Sequence, residues 1–275
     1  DWNLQGADLI VAALGYNPSL EGEESGDEGV PDAEGGGDRV RIGLPGKQLE
    51  LLKKLHATGK PVVLVLTGGS PIELNWAAEN IPAILMAWYP GEQGGNAVAD
   101  VLFGKYNPSG RLPLTFYKSL DQVPDFKDYN MKGRTYRFMT DEPLYRFGFG
   151  LSYTRFAYSN MRLSSASISK RGRVAVSVDV ENTGDMAGDE VVQLYVSDLE
   201  SSVPAPLVHL EGFQKIHLKP GEKTTVEFKL KSSQLAVYDD NGKPFVEPGE
   251  FKISVGGGQP GDRSVQSENV ILTVN

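Results

Sequence analysis

The chain has 275 residues, 40% of them hydrophobic and 23% charged, which fits an ordinary globular protein of two domains and excludes a disordered or fibrous one. A net charge of −9 disfavours a nucleic-acid partner held by phosphate neutralisation, and no basic stripe offsets it. Cysteine is absent, so disulfides and thiol nucleophiles are excluded. No run is long and apolar enough for a membrane span, and the amino terminus lacks the basic-then-apolar pattern of a signal peptide. The compartment stays open, leaning toward periplasmic or secreted rather than cytoplasmic. Asp1 to Gly6 run straight into a buried-type strand without a start methionine, so the chain reads as a segment of something longer.

In chain order, residues 8–14 form an apolar strand, followed by an acidic, glycine-rich loop from Leu20 to Arg39. Gly46 to Thr58 is a helix introduced by Pro45, with Leu49, Leu51, Leu52 and Leu55 on one face. Residues 61–67 give a second strand closed by Gly68-Gly69, Pro71 to Asn80 a short helix, 83–87 a third strand, and Glu92 to Phe103 a third helix. Strand–helix alternation with fully apolar strands implies a parallel sheet covered on both faces. From Asn107-Pro108-Ser109-Gly110 to about Thr154 the pattern is an aromatic connector without long periodic elements. Beyond Phe156 the chain turns all-β: Arg173 to Glu181 alternates with period two, and strands at Glu190–Val196, Leu207–His217, Thr224–Leu230 and Phe251–Val255 follow between turns such as Lys219-Pro220-Gly221-Glu222. Short strands with regular turns predict an antiparallel immunoglobulin-like sandwich, with Val176, Val178, Val180, Val192, Leu194 and Val196 facing inward. The expected domains are an α/β domain at 1–117, the connector at 118–155 and the β-domain at 156–275.

Carboxylates on a loop after an α/β strand stand where open sheets place reactive groups. Glu21, Glu23 and Glu24 are crowded there, and crowding raises the pKa of at least one carboxyl group, as a general acid requires. Asp27, Glu28, Asp32, Glu34 and Asp38 follow closely, so a solvated acidic loop and a calcium site remain open beside catalysis. Asp38-Arg39 either holds the loop or grips a ligand hydroxyl, with structure the expected role. Gly68-Gly69-Ser70-Pro71 looks like a phosphate-cradling turn but lacks the lysine and the glycine register of one, so tight packing is the expected role. In Trp88-Tyr89-Pro90-Gly91-Glu92 an aromatic could stack on a sugar, yet Pro90 at a helix start with Glu92 in its first turn suffices as capping. His56, His209 and His217 show no acidic partner at useful spacing, so neither a histidine triad nor a zinc site is expected.

Taken together, Glu21-Gly22-Glu23-Glu24, Gly37-Asp38-Arg39, Leu44-Pro45 with Gln48, Gly59 to Leu66, Gly69-Ser70-Pro71 and Trp88 to Gly95 resemble the carboxyl-terminal half of glycoside hydrolase family 3. The resemblance continues through Ala99 to Gly104, Asn107-Pro108-Ser109-Gly110-Arg111-Leu112-Pro113, Gly133 to Arg137, Pro143-Leu144-Tyr145 and Phe147 to Tyr153. It implies an α/β sandwich lacking its first portion, followed by a fibronectin type III-like domain. The implied activity is that of a retaining exo-β-glycosidase acting on terminal β-D-glucosides or β-D-xylosides. The Gly133–Arg137 connector looks xylosidase-like, while the rest suits β-glucosidases equally.

The family's general acid/base lies shortly before the Asp-Arg pair, which implies Glu23, then Glu24, then Glu21. Many relatives place it immediately before that pair, whereas here a long insertion intervenes, and Glu34 is the rival if the insertion lies on the other side. The nucleophile is an aspartate of a barrel domain absent from this chain, and a retaining mechanism needs two carboxyl groups roughly 5–5.5 Å apart. The segment by itself is therefore expected to be inactive. The implied partners are a β-linked oligosaccharide and the barrel of the same enzyme, with no nucleic acid, membrane, metal or organic cofactor, and a homo-oligomer left open. The rival class is a non-catalytic carbohydrate-binding or interaction module using the Trp88-Tyr89 region and the sandwich surface.

Overall fold

A computed structural model describes residues 4–21 and 39–275, apart from the side chain of Ser19. They fall into two units: one comprises the described residues up to Phe103 with Phe116–Val123, the other Gly104–Thr115 with Pro124–Asn275.

In the first unit the elements run β1 (Ile10–Gly15), α1 (Pro18–Glu21), α2 (Gln48–His56), β2 (Val62–Thr67), α3 (Asn75–Asn80), β3 (Ala83–Trp88) and α4 (Gly94–Leu102). The three strands form a parallel sheet in the order β1-β2-β3, with Ile10 opposite Val62 and Leu64 opposite Ile84. Residues in register share a face. One face, with Ile10, Ala12, Val62, Leu64 and Leu66, is buried. The other is not covered throughout as expected, for Val11 is 48% exposed.

Helix α2 is shorter than its periodic pattern. Gln48, Leu52 and Leu55 face inward, while Leu49 lies partly in solvent because it stands about 100° around the helix from Gln48, on the side away from Leu55. The expected helix at Pro71 begins at Asn75, and that at Glu92 begins at Gly94, so Glu92 precedes the first turn rather than capping it.

The second unit holds a short helix α5 (Thr135–Phe138) and ten strands: β4 (Phe156–Leu163), β5 (Ser167–Ile168), β6 (Arg173–Asn182), β7 (Gly188–Asp198), β8 (His209–Leu218), β9 (Lys223–Lys231), β10 (Val237–Tyr238), β11 (Pro244–Phe245), β12 (Gly249–Gly256) and β13 (Ser267–Val274). A five-stranded sheet β5-β13-β12-β7-β8 and a three-stranded sheet β4-β6-β9 supply the residues of one core. Val176, Val178, Val180, Val192 and Val196 are fully buried and Leu194 is 1% exposed, as the alternation demands.

Within this unit the motif Asn107 to Arg111 is structural. Asn107 accepts from the Ser152 hydroxyl and the Tyr153 amide, and it donates to the Ala187 carbonyl. Arg111 enters between strands, pairing with Glu190 at 2.5 Å and donating to the Gly257 carbonyl at 3.2 Å. The Tyr158 hydroxyl donates to the other Glu190 oxygen at 2.6 Å. Burial raises the Glu190 carboxyl above its ordinary range, against the pull of Arg111 and Tyr158.

Candidate active site

The carboxyl edge of the parallel sheet gathers one segment from each strand. After β1 the chain runs through Tyr16 into α1 and ends the turn at Glu21. Its exit is fixed by Gln48, whose side-chain amide pairs with Gly15 in both directions, at 2.6 and 2.9 Å. Gly15 is required there: its φ is +120°, and a Cβ would stand 2.1 Å from the Thr67 carbonyl oxygen. After β2 comes the Gly68-Gly69-Ser70 turn, and after β3 comes Tyr89. Trp88 ends β3 with φ +55°, a left-handed conformation uncommon for so large a residue. It packs edge-on against Phe116, 6.2 Å between ring centres.

These segments converge on the Glu21 carboxylate. Ser70 Oγ donates to Oε1 at 2.7 Å, and the Gly69 amide donates to Oε2 at 3.0 Å. The Tyr89 hydroxyl donates to the same Oε2. Arg39 Nη2 stands 3.5 Å from Oε1 and donates to Ser70 Oγ, while its guanidinium carbon lies 4.1 Å above the Tyr16 ring. The Tyr16 hydroxyl in turn donates to the Gly43 carbonyl at 2.6 Å. The Glu21 and Arg39 side chains are 21% and 11% exposed, so the pair is largely withdrawn from water.

Burial pushes the Glu21 carboxyl up, but the hydrogen bonds from Ser70, Tyr89 and Gly69 and the charge of Arg39 outweigh it, holding the group ionised below its ordinary value. The Tyr89 hydroxyl is pushed up to about 12, first by burial and then by its bond to the Glu21 carboxylate. Among the described residues, Arg39 Nη1 is buried without an acceptor. A hollow of about 260 Å³ lies among Val40, Arg41, Ile42, Glu73 and Leu120 in the same unit.

Of the sequence candidates, Glu21 is thus a bound carboxylate at the neck of the acidic loop. Glu23, Glu24, Glu34 and Asp38 lie outside the described residues. The turn that looks like a phosphate cradle does hold an anion, the protein's own Glu21. The convergence of Arg39, Ser70 and Tyr89 on it went unseen in the sequence. The available signal was that each of Glu21, Ser70 and Tyr89 follows the end of an apolar strand.

The histidine expectation needs correcting. His209 Nδ1 lies 2.6 Å from Glu211, two residues along β8, and His217 Nδ1 lies 2.7 Å from Asp189, its cross-strand partner on β7. The first pair meets where the register between β7 and β8 shifts and leaves Glu211 as an extra residue, and sheet pairing brings the second together across 28 residues. Among the described residues no group of three or more acidic or histidine side chains could hold a metal ion. No described helix is long and apolar enough to cross a membrane.

Comparison with known proteins bears on this edge. Residues 3–153 match the glycosyl hydrolase family 3 C-terminal domain, and residues 190–259 match the fibronectin type III-like domain. A β-xylosidase from Formosa agariphila is 48% identical over 98% of this chain and 36% of its own length. A periplasmic β-glucosidase from Salmonella typhimurium is 40% identical over 91% of the chain and 33% of its own length. Among solved structures, a β-glucosidase from Erythrobacter marinus superposes with a TM-score of 0.84 at 41% identity, covering 99% of this chain and 35% of that one. The chain therefore spans about a third of the length of these relatives. It belongs to glycosyl hydrolase family 3, carrying that family's C-terminal domain and, after it, a fibronectin type III-like domain.

Proposed function

We propose that the chain is the carboxyl-terminal part of a retaining, exo-acting β-glycosidase that hydrolyses terminal β-D-glucosides or β-D-xylosides, and that it supplies the general acid/base. The aspartate nucleophile comes, in this reading, from a barrel domain outside the chain. The observation that carries the proposal is the convergence at the carboxyl edge, where a loop rich in glutamates leaves the sheet at Glu21 and returns at Arg39. Such edges are where open α/β sheets bind ligands. The names of the relatives, β-xylosidase and β-glucosidase, support the substrate class.

In the proposed mechanism the barrel aspartate attacks the anomeric carbon while Glu23 protonates the leaving oxygen. The same glutamate then activates the water that releases the sugar. Glu24 is the next candidate and Glu21 the third, since a carboxylate already accepting from three donors and facing Arg39 is held ionised and is poorly suited to give up a proton. Two carboxyl groups suffice for this chemistry, so no metal or organic cofactor is invoked. The half-exposed apolar face at Val11 suits a sheet that continues into further polypeptide. With only the donor present, the chain alone is inactive. A periplasmic or secreted setting agrees with the periplasmic Salmonella relative.

The test is Glu23→Ala in the complete enzyme. Loss of a general acid should slow hydrolysis of cellobiose or xylobiose by roughly 10²–10⁴-fold. An activated aryl glycoside needs little protonation, so its glycosyl-enzyme should form and accumulate, and azide should restore turnover. If Glu23→Ala hydrolyses the disaccharide at the parental rate while Glu34→Ala shows this pattern, Glu34 is the donor. Should no glutamate of the loop show it, with the isolated chain binding sugar, the chain is a binding module instead.

A further inference from the structure

We propose that Glu21, Arg39, Ser70 and Tyr89 form a clamp at the neck of the acidic loop, and that they are positioning residues for proton donation. The inference rests on the reading above, that the donor lies in residues 22–38.

Glu21 and Arg39 are the two described residues that bracket this segment, and their side chains meet at 3.5 Å. Each is also tied to the sheet. Glu21 is held by the Gly69 amide and the Ser70 hydroxyl after β2 and by the Tyr89 hydroxyl after β3. Arg39 is held by Ser70 and lies over the Tyr16 ring, which sits directly after β1. All three strands therefore fix the points where the segment leaves and returns. A donor must be held within a fraction of an ångström of the leaving oxygen, so the geometry of this neck bears on the reaction.

Two features suit positioning better than mere packing. The cluster is polar and lies at the open edge, with Tyr89 44% exposed, whereas the unit's apolar core lies elsewhere, around Leu52, Leu64 and Leu66. The residue that brings Tyr89 to Glu21 is Trp88, in the left-handed region at φ +55°. Strain kept at such a point in a chain suits a role in the site. Gly69 fits closely into the clamp as well: a Cβ there would stand 3.1 Å from Tyr89 Cε2 and 3.3 Å from Glu21 Oε2.

The test uses Tyr89→Phe and Glu21→Gln in the complete enzyme. Tyr89→Phe removes one hydroxyl and keeps the ring, so folding is retained even where Glu21→Gln is poorly folded. Misplacing the donor should lower kcat on cellobiose or xylobiose by roughly 10–10²-fold with little change in KM. The kcat/KM of a dinitrophenyl glycoside, which reports glycosylation alone and needs little protonation, should change far less. Azide should give no glycosyl azide, because the acid/base itself is still present. Equal losses of kcat/KM on both substrates, or none, would overturn the inference and leave the cluster as a fold element. Azide rescue in Glu21→Gln would also overturn it, making Glu21 the donor. The underlying reading is judged separately by Glu23→Ala, Glu24→Ala and Glu34→Ala: if all three retain parental turnover of the disaccharide, the donor is not in the segment, whatever the clamp variants do.

Discussion

Replacing Arg111 by methionine removes a guanidinium that is 9% exposed and leaves Glu190, 4% exposed, with Tyr158 as its remaining side-chain donor. Breaking a buried pair by deleting one partner costs about 3–5 kcal/mol, because the other charge is stranded. With a urea dependence of about 2 kcal/mol per molar, the midpoint for the second unit should fall by about 2 M. The loss should also depend on pH. Burial already raises the Glu190 carboxyl, and without Arg111 it rises further. A carboxyl group whose folded pKa exceeds its unfolded value keeps its proton in the folded state, so stability is lost as pH rises from the unfolded value toward the folded one. The deficit of the variant should therefore be small at acid pH, where both proteins keep the Glu190 proton, and grow by about 1.4 kcal/mol per pH unit between the folded value of the parent and the higher one of the variant. Of the three tryptophans, Trp76 and Trp88 lie in the first unit, Trp2 precedes the described residues, and the sequence of the second unit has none. Far-ultraviolet circular dichroism must therefore follow the second, and tryptophan fluorescence serves as the internal control. Adding Glu190→Gln should recover most of the loss at neutral pH. A midpoint shift equal at acid and neutral pH, or a cost below about 1 kcal/mol, would refute the picture of a stranded charge.

Val178→Asp places an uncompensated carboxylate in the sandwich core and should destabilise the second unit by several kcal/mol; a thermal transition close to that of the parent would mean that this face is not the core. At the clamp, Glu21 is held below its ordinary value of 4.5, so its contacts add stability above that pH, and the gain is lost as pH falls through the lowered value. Tyr89 behaves oppositely. Its hydroxyl is raised from 10.0 to about 12, so it adds stability below pH 10 that is lost as pH rises toward 12. In a phenolate absorbance titration burial also holds Tyr145, Tyr158 and Tyr195 late, so Tyr89→Phe should remove one tyrosine from this late phase, and a loss from the ordinary phase instead would deny the Tyr89–Glu21 bond.

Much of the architecture can be read in the sequence because it rests on local periodicity. Residues 173–181 alternate strictly, and their valines face the core. The apolar runs at 10–15, 62–67 and 83–88 became parallel strands within a residue or two of expectation. The polar contacts were hidden for the opposite reason. Arg111 and Glu190 stand 79 residues apart, and Glu21 and Tyr89 stand 68 apart, so no spacing rule joins them. Strand β13 escaped notice because its burial alternates weakly, with only Leu272 and Val274 buried. The anion held by the turn after β2 is likewise hidden in the sequence, because Glu21 comes from the segment that follows β1.

The neck between Glu21 and Arg39 also bears on how such loops diversify. Where both ends of a segment are fixed by contacts to a sheet, the sheet does not register what is threaded between them. Doubling such a loop costs only about 0.6 kcal/mol in closure entropy. Length there becomes a nearly neutral variable, open to insertion and deletion while the strands beneath stay unchanged. A segment of 17 residues between Glu21 and Arg39, longer than the spacing the family resemblance implies, is compatible with that tolerance. New sequence spliced there would cost little stability, but it would have to leave the proposed donor at its distance from the neck.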